Sequence, residues 1–508
     1  MKGPVFAEST GPVARTARHG VLGFALDGAA DEPRHRQLYA QLRSAILTRR
    51  LAPGARLPSS RLFANELGCA RGTVLLAFDQ LIAEGYVRSA GGSGTFVADE
   101  LPDDVLSVRE GQRKAAERTG RAAPPLLSRR AAALLALASR PNAAPFGAPF
   151  TVGQPALDHF PFDIWSRLLA DAWRRPEPAM LVAGYPAGHP RLRQAIADYL
   201  RAARGLDCRP DEVIVTAGTQ HAISLVARLI LDPGDPVWLE EPCYPGLRAT
   251  LAAAGARMVP VPVDRDGLSV AEGRLEPGAR LAVVTPSRHY PLGTVMSLPR
   301  RIELLAWAEE AGAWIIEDDY DSEYRYRGRP LEPLRLLDET RRVVYVGTFS
   351  KVLFPTLRLG YLVAPPALAE ALGKSVTTLE PTASMVAQLA LARFIAEGHF
   401  AVHLRRMRHL YAARQAALLE AARTTLGEAL TLVGDDAGMH VVGYAADERC
   451  FDDRAVAEAA AGFGIVVTPL SRHYAGEATR PGLMFGYTAV APERMGPALA
   501  RLASVLRR

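Results

Sequence analysis

Lys351 closes the tetrapeptide Thr348-Phe349-Ser350-Lys351, directly beyond the apolar run Val343-Val344-Tyr345-Val346. An ammonium is costly to bury unless it is paired or neutralised, so a lysine set just past a strand-like run is a candidate for chemistry. Three more apolar runs end in polar residues. "EVIV" leads into "TAGTQ", "PVWL" into "EEPCY", and "AWII" into "EDDYD". Ligands of an open α/β sheet collect in the crevice beyond the carboxyl ends of its strands. Pairing these four runs in parallel would bring Thr219, Tyr244, Asp318 and Lys351 to one site.

Those residue types are the ones pyridoxal 5'-phosphate requires. Its aldehyde forms a Schiff base with a lysine amine, and its pyridine nitrogen needs a carboxylate. Lys351 is the expected Schiff-base lysine, and Asp318 the partner that holds the ring nitrogen protonated. Gly218 and Thr219, with Gln220 following, open a helical pattern where free N–H groups and the helix dipole favour the phosphate. Arg358, in "FPTLRLGY", adds a cation suited to bidentate phosphate contact. Tyr244 offers a ring face, and Tyr320 a hydroxyl for the phenolate oxygen. Thr348 and Ser350 beside the lysine, and His289 in "TPSRHYPLG", complete the expected cofactor set. Arg472, after the run "GIVV", is the candidate for an effector carboxylate. "HFAVH" spaces His399 and His403 as a zinc pair would be, but Phe400 stands where the metalloprotease helix carries Glu, so no metal site is expected.

These residues need elements to position them. From Phe146 onward, short apolar runs alternate with longer helical patterns. That alternation predicts an α/β domain with a mainly parallel sheet. Residues 33–98 read differently. Leu38, Leu42, Ala45 and Ile46 share one helical face. A short helix follows, with Ser59 or Ser60 as its N-cap and Gly68 as its stop. A second helix carries the stripe Val74, Phe78, Leu81 and Ile82 and stops at Gly85. Two short strands, "YVR" and "TFV", then flank the turn "AGGSG". Helix, helix–turn–helix and hairpin together make a small α+β winged helix. Its second helix would enter the major groove by its first residues, where Arg71 can meet a base edge or a phosphate. Gly92, in the wing, lets the backbone approach DNA closely.

Charge points the same way. Residues 33–98 hold nine arginines, no lysine and three acids, which accounts for the whole formal excess of +6. Charge confined to one small segment implies a polyanionic partner. The length of 508 residues suits two or three domains. We expect a flexible stretch over 1–32, the winged helix over 33–98, a linker with one or two helical stretches over 99–145, and the α/β domain over 146–508. Four scattered cysteines with no CxxC spacing favour a reducing compartment. No run approaches the roughly 18 apolar residues of a membrane span, so a cytoplasmic protein is expected.

"GARLPSSRLFANELGCARGTVLLAFDQLIAEGYVRSAGGSGTFVA" resembles the GntR-type winged helix almost end to end. The resemblance implies DNA contacts from Arg61, after the P-S-S turn, and from Arg71 and Thr73 at the start of the recognition helix. Gly72 stands where a hydroxyl residue is common, which removes one side-chain contact. "YPAGHPRLRQAIADYL", "TAGTQ", "PCYPG", "TPSRHYPLG", "EDDYDSEY" and "TFSKVLFPTLRLGY" resemble fold-type I aminotransferases. Together the two parts look like the MocR subfamily of GntR regulators. That implies Lys351 as the lysine of S/T-F-S-K, Asp318 as the first Asp of D-D-Y-D with Tyr320 following, and Tyr244 as the ring-stacking tyrosine. There are departures. Arg288, His289 and Leu292 differ from the usual T-P-S-H-Q-[FY]-P-T-G. Gly246 replaces the arginine that GABA-responsive members carry two residues past the stacking tyrosine, which argues against GABA as ligand.

The expected protein is a transcriptional regulator that binds double-stranded operator DNA. It would hold pyridoxal phosphate, sense an amine, an amino acid or pyridoxal phosphate itself, and work as a head-to-tail homodimer. The alternative is a working aminotransferase that carries a DNA-binding module. Residual transamination is compatible with either, because the same residues hold the cofactor.

Overall fold

The computed structural model describes residues 23–28, 30–90, 94–99, 101, 128–137, 147–182, 184–328, 331–379, 383–427, 429–448 and 450–507. The chain divides into two units, Met1–Leu126 and Leu127–Arg508.

Among the described residues the first unit has three helices and a hairpin. Helix α1 (Arg34–Leu47) buries Leu38, Leu42, Ala45 and Ile46, the face its spacing predicts. Ser59 starts α2 (Ser60–Leu67), its Oγ accepting the Leu62 N–H at 3.3 Å. Gly68 ends α2 in the left-handed region at φ 59°, where a side chain would be strained. Helix α3 (Arg71–Ala83) buries Val74, Ala77, Phe78 and Leu81. Ile82, expected in that stripe, is 37% exposed. Eight residues on from Val74, the helix has turned about 80° past two full revolutions, so Ala77 takes the inner place. Strands β1 (Val87–Ala90) and β2 (Gly94–Val97) pair antiparallel, with Val87 opposite Val97. Gly92 lies outside the described residues.

The expectation of a flexible 1–32 segment needs correcting over its last part. Residues 1–22 lie outside the described residues, but Phe24 is buried and packs edge-to-face on Phe63 at 5.9 Å. Two glutamines one turn apart on α1 hold the segment. Gln41 exchanges hydrogen bonds with the Ala25 backbone, and Gln37 does the same with Asp27. Each side-chain amide stands in for a neighbouring strand, so extended backbone is satisfied without a sheet.

In the second unit an eight-stranded sheet runs in the order β3-β10-β9-β8-β7-β4-β5-β6. Its members are β3 (Val213–Thr216), β4 (Pro236–Glu241), β5 (Arg257–Asp264), β6 (Gly267–Leu268), β7 (Leu281–Val284), β8 (Trp314–Asp319), β9 (Val343–Thr348) and β10 (Gly360–Val363). Strands β5, β4, β7, β8 and β9 are parallel neighbours. β10 is antiparallel to both β9 and β3, so β3 runs with the parallel set. The carboxyl ends of β3, β4, β7, β8 and β9 therefore share one edge. These strands are nearly continuous apolar runs because helices cover both faces of such a sheet.

A smaller antiparallel sheet closes the unit, in the order β11-β12-β14-β13, from β11 (Leu430–Val433), β12 (His440–Ala445), β13 (Thr468–Pro469) and β14 (Leu483–Gly486). Its loops lean on the carboxyl edge of the large sheet, where the Cys243 N–H donates to the His473 carbonyl at 2.9 Å. A helix at Arg129–Leu137 falls within the stretch expected to be linker. Among the described residues no single helix is long and apolar enough to cross a membrane.

Candidate functional site

Beyond Thr348 the chain turns at once, the Ser350 N–H donating to Thr348 Oγ1 at 3.1 Å. This turn sends Lys351 into a cavity of about 660 Å³ at the shared carboxyl edge. Burial lowers the Lys351 pKa below the usual ammonium range, opposed by the nearby Asp321 and Asp318. Gly153, at φ 76°, faces the amine. A Cβ there would lie 2.5 Å from Lys351 Nζ. A side chain there would make the amine shift.

Alternation along β8 sends Asp318 and Asp319 to opposite faces of the sheet. Asp319 is fully engaged, with Arg204 at 2.8 Å, the Tyr345 hydroxyl at 2.5 Å and Ser322 Oγ at 2.8 Å. Asp318 is the reverse. Its Oδ1 is buried and has no partner among the described residues. Burial first, then Asp319, Glu240 and Asp321, push its carboxyl up to about 8. A carboxyl held this way is complementary to a cationic donor.

Tyr320 sits one step beyond β8. Its oxygen accepts from Arg288 at 3.1 Å, and its hydroxyl also hydrogen-bonds Asp321. Arg288 is itself buried at a crossing point. It reaches Asp321 at 3.1 Å and Asp435 at 2.7 Å, and donates to the His440 carbonyl at 2.9 Å. The guanidinium thus joins the end of β8 to the smaller sheet. Arg288→Met strands the buried Asp321 carboxylate and leaves the half-buried Asp435 without its partner. It is expected to lower the thermal midpoint by roughly 5–10 °C, read by calorimetry.

The other end of the cavity suits an anion. Gly218, at φ 100°, precedes the helix Thr219–Ile230, whose first N–H groups have no intrahelical acceptor. Gly218, Thr219, Gln220, Thr348, Ser350 and Arg358 all line the cavity. Arg358 is delivered by the amino end of the antiparallel β10, in the left-handed conformation at φ 51°. Neither Arg358 nor Arg472, also in the lining, has a side-chain hydrogen bond or ion pair among the described residues. Tyr244 stands at the rim, 49% exposed, edge-to-face with Tyr290 at 5.8 Å.

One expected cofactor residue does not reach the cavity. His289 is buried behind Glu240, its Nε2 3.7 Å from Glu240 Oε2. Burial holds it down to about 3, so it is a neutral imidazole. Sequence reasoning also missed lining residues. Glu240 accepts from Thr285 N at 3.1 Å and Thr285 Oγ1 at 2.6 Å, while its Oε1 is left without a partner. Tyr290 sits among Tyr320, His440 and His473, at ring distances of 5.7, 5.4 and 5.4 Å. Thr285 and Tyr290 follow the run "LAVV" of β7, so the rule that found the other four termini could have found them. His440 and His473 come from the smaller sheet and carried no such signal. His399 and His403 serve other partners, His399 lying 3.3 Å from Glu397 and His403 3.1 Å from the Val352 carbonyl.

In the first unit the start of α3 is open. Arg71, Gly72 and Arg61 are exposed and Thr73 is half-buried. Arg71 Nε donates to Ser60 Oγ at 3.1 Å, which ties its stem to the start of α2 and aims the guanidinium outward. Ala70 caps α3 without a side-chain acceptor.

Residues 34–97 match the family of bacterial regulatory proteins termed gntR, and residues 150–482 match aminotransferase class I and II. The chain is 44% identical over 479 residues to a probable rhizopine catabolism regulatory protein, MocR, of Rhizobium meliloti, covering 94% of this chain and 95% of that one. It is 34% identical over 453 residues to the HTH-type pyridoxine biosynthesis transcriptional regulator PdxR of Corynebacterium glutamicum, covering 89% and 91%. Among solved structures it resembles the α-aminoadipate aminotransferase LysN of Thermus thermophilus, with TM-score 0.65 and 25% identity over 79% of this chain and 98% of that one. A kynurenine aminotransferase of Pyrococcus horikoshii has the same fold, with TM-score 0.65 and 24% identity over 77% and 98%.

Proposed function

The chain belongs to the GntR regulators of MocR type, in which a winged helix is joined to an aminotransferase class I and II domain, and from that premise we propose a transcriptional regulator that holds pyridoxal phosphate. It binds double-stranded operator DNA through residues 33–98. Its aminotransferase-like domain responds to an amine, an amino acid or pyridoxal phosphate itself. One observation carries the reading. A buried lysine amine, a carboxylate oxygen without a partner and an open helix start meet in one cavity. The other unit of the same chain concentrates arginine.

The donor set fits the cofactor. When bound, pyridoxal phosphate supplies an electrophilic aldehyde carbon on an electron-withdrawing ring. Lys351, its pKa lowered by burial, would offer its amine to that carbon. Asp318 holds a proton at the ring nitrogen. Tyr320 presents its hydroxyl to the phenolate oxygen, with Arg288 fixing the phenol from behind. The Thr219 helix start, with Gly218, Gln220, Thr348, Ser350 and Arg358, holds the phosphate. Tyr244 covers a ring face, and His289 backs Glu240. Arg472 is the free cation on the effector side of the cavity. The working form is a homodimer, since one winged helix reads one half-site and two copies read two; the family resemblance implies a head-to-tail arrangement, and a cytoplasmic location goes with the regulator reading.

The test is operator binding titrated with pyridoxal phosphate and with amines. A shift in operator affinity supports the regulator. Multiple-turnover transamination, with operator binding indifferent to every addition, would support an aminotransferase carrying a DNA-binding module. Side chains in the winged helix divide further. Arg71→Ala is expected to lose its preference for operator over scrambled duplex, worth about 1–3 kcal/mol for a bidentate guanine contact. Arg61→Ala should weaken both duplexes equally and reduce the salt slope by about one unit, as expected for one lost phosphate contact. An Arg71→Ala protein with unaltered selectivity would remove α3 from the groove.

A further inference from the structure

Helix α3 spends two large apolar residues outside the core. Leu75 is 39% exposed and Leu76 56%. Val74, Ala77, Phe78 and Leu81 mark the inner face of the helix. At about 100° per residue, Gly72 and Leu76 then fall on the outer face, with Leu75 one turn beyond Arg71. Single exposed leucines are ordinary, but these two are consecutive and occupy the second turn of the helix that presents Arg71 and Thr73. Nothing lies within 4 Å of where a Cβ on Gly72 would stand. The outer face is therefore bare backbone at 72, bordered by two leucines.

Charge selects what this face meets. Nine arginines against three acids across residues 33–98 favour a polyanion. Two of the three acids, Asp79 and Glu84, lie in the later turns of α3 or at its end. Phosphates repel that end, so the helix must enter by its first two turns. Arg71 then leads and Leu75 and Leu76 follow at the level of the base edges. A major groove displays one apolar feature there, the C5 methyl of thymine.

We propose that Leu75 and Leu76 read thymine methyl groups, so that each operator half-site carries thymine beside the base met by Arg71. This rests on residues 33–98 being the operator-binding unit. Leucine has no donor or acceptor, so it favours thymine over cytosine by buried methyl area alone. The preference is a matter of fold-change per base, not an absolute requirement.

The test begins with duplexes selected by the full-length protein from a random pool. Each thymine of the selected site is then replaced singly by deoxyuridine, which keeps base pairing and every groove donor and acceptor but lacks the methyl. Loss of about fourfold in affinity is expected at one or two positions per half-site, the factor for burying one methyl-sized group. Leu75→Ala and Leu76→Ala, and the helix-forming Leu75→Gln and Leu76→Gln, should bind the thymine duplex more weakly. Each should also become indifferent to deoxyuridine at its own position. If deoxyuridine costs nothing at any position, or the leucine variants keep full methyl sensitivity, the proposal is wrong while operator binding stands. If the leucine variants change oligomeric state with methyl sensitivity intact, the leucines cover protein, and the proposal is equally wrong. Failure to enrich any duplex would instead overturn the operator-binding reading beneath it.

Discussion

Lys351→Ala is expected to give a colourless protein when mixed with pyridoxal phosphate, where the wild type turns yellow. Borohydride should fix the cofactor to one tryptic peptide of the wild type and to none of the variant. The chain makes this unusually clear to read, because it holds four lysines, Lys2, Lys114, Lys351 and Lys374. Lys374 is exposed and paired with Glu370 at 2.7 Å. An ammonium in water at neutral pH is overwhelmingly protonated and a poor nucleophile. Lys351 differs because burial lowers its pKa and Gly153 leaves its Nζ unobstructed. The loss should be complete, not graded, since no neighbouring amine can substitute. A variant that still yields a fixed adduct, mapped by mass spectrometry to another lysine, would refute the assignment.

Asp318→Ala should weaken pyridoxal phosphate binding by about 100-fold or more, because removing one member of a buried charge pair costs about 3–5 kcal/mol. Equilibrium dialysis measures it, and unchanged affinity would take the ring nitrogen away from Asp318. The same residue makes a pH prediction for protein free of cofactor. Its carboxyl is raised to about 8 in the fold from an ordinary value near 4. The folded state therefore binds this proton more tightly than the unfolded chain does. That stability is present in full at low pH and is lost as pH rises through about 8. The thermal midpoint of cofactor-free protein should fall between about pH 5 and pH 8 and level off above. Asp318→Asn, which mimics the protonated form, should flatten part of that fall. A wild-type midpoint independent of pH over this range would contradict the buried, partnerless state of the carboxyl.

Much of this site can be read from the chain because buried parallel strands are written as unbroken apolar runs. The polar residues that follow within a few positions of each run must then lie at or just beyond the sheet edge. Thr219, Tyr244, Asp318 and Lys351 are legible by that rule, and the structure lines one cavity with all four. β7 obeys the same rule, yet the sequence reading favours His289 over its neighbour Tyr290. The side chain at 289 is buried behind Glu240 instead. His440 and His473 are illegible for a different reason. They reach the cavity from an antiparallel sheet more than 80 residues further along the chain than Lys351 for the first, and more than 120 for the second. No local period records such a meeting. In the winged helix the glycine and serine punctuation places the helices well. Phe24 escapes notice because its support is a pair of glutamine amides, Gln37 and Gln41, which look like surface residues of α1.

Arg248 holds the loop that carries Arg472 by its backbone, donating to the carbonyls of His473 at 3.0 Å and Arg472 at 2.9 Å. Every amino acid supplies that oxygen. The path of the loop is thus independent of which side chain occupies position 472. If Arg472 meets the effector, as proposed above, mutational drift there can exchange one ligand preference for another without passing through a misfolded intermediate. A receptor built this way separates its chassis from its vocabulary: new signals can be learned one residue at a time on a frame that need not be relearned.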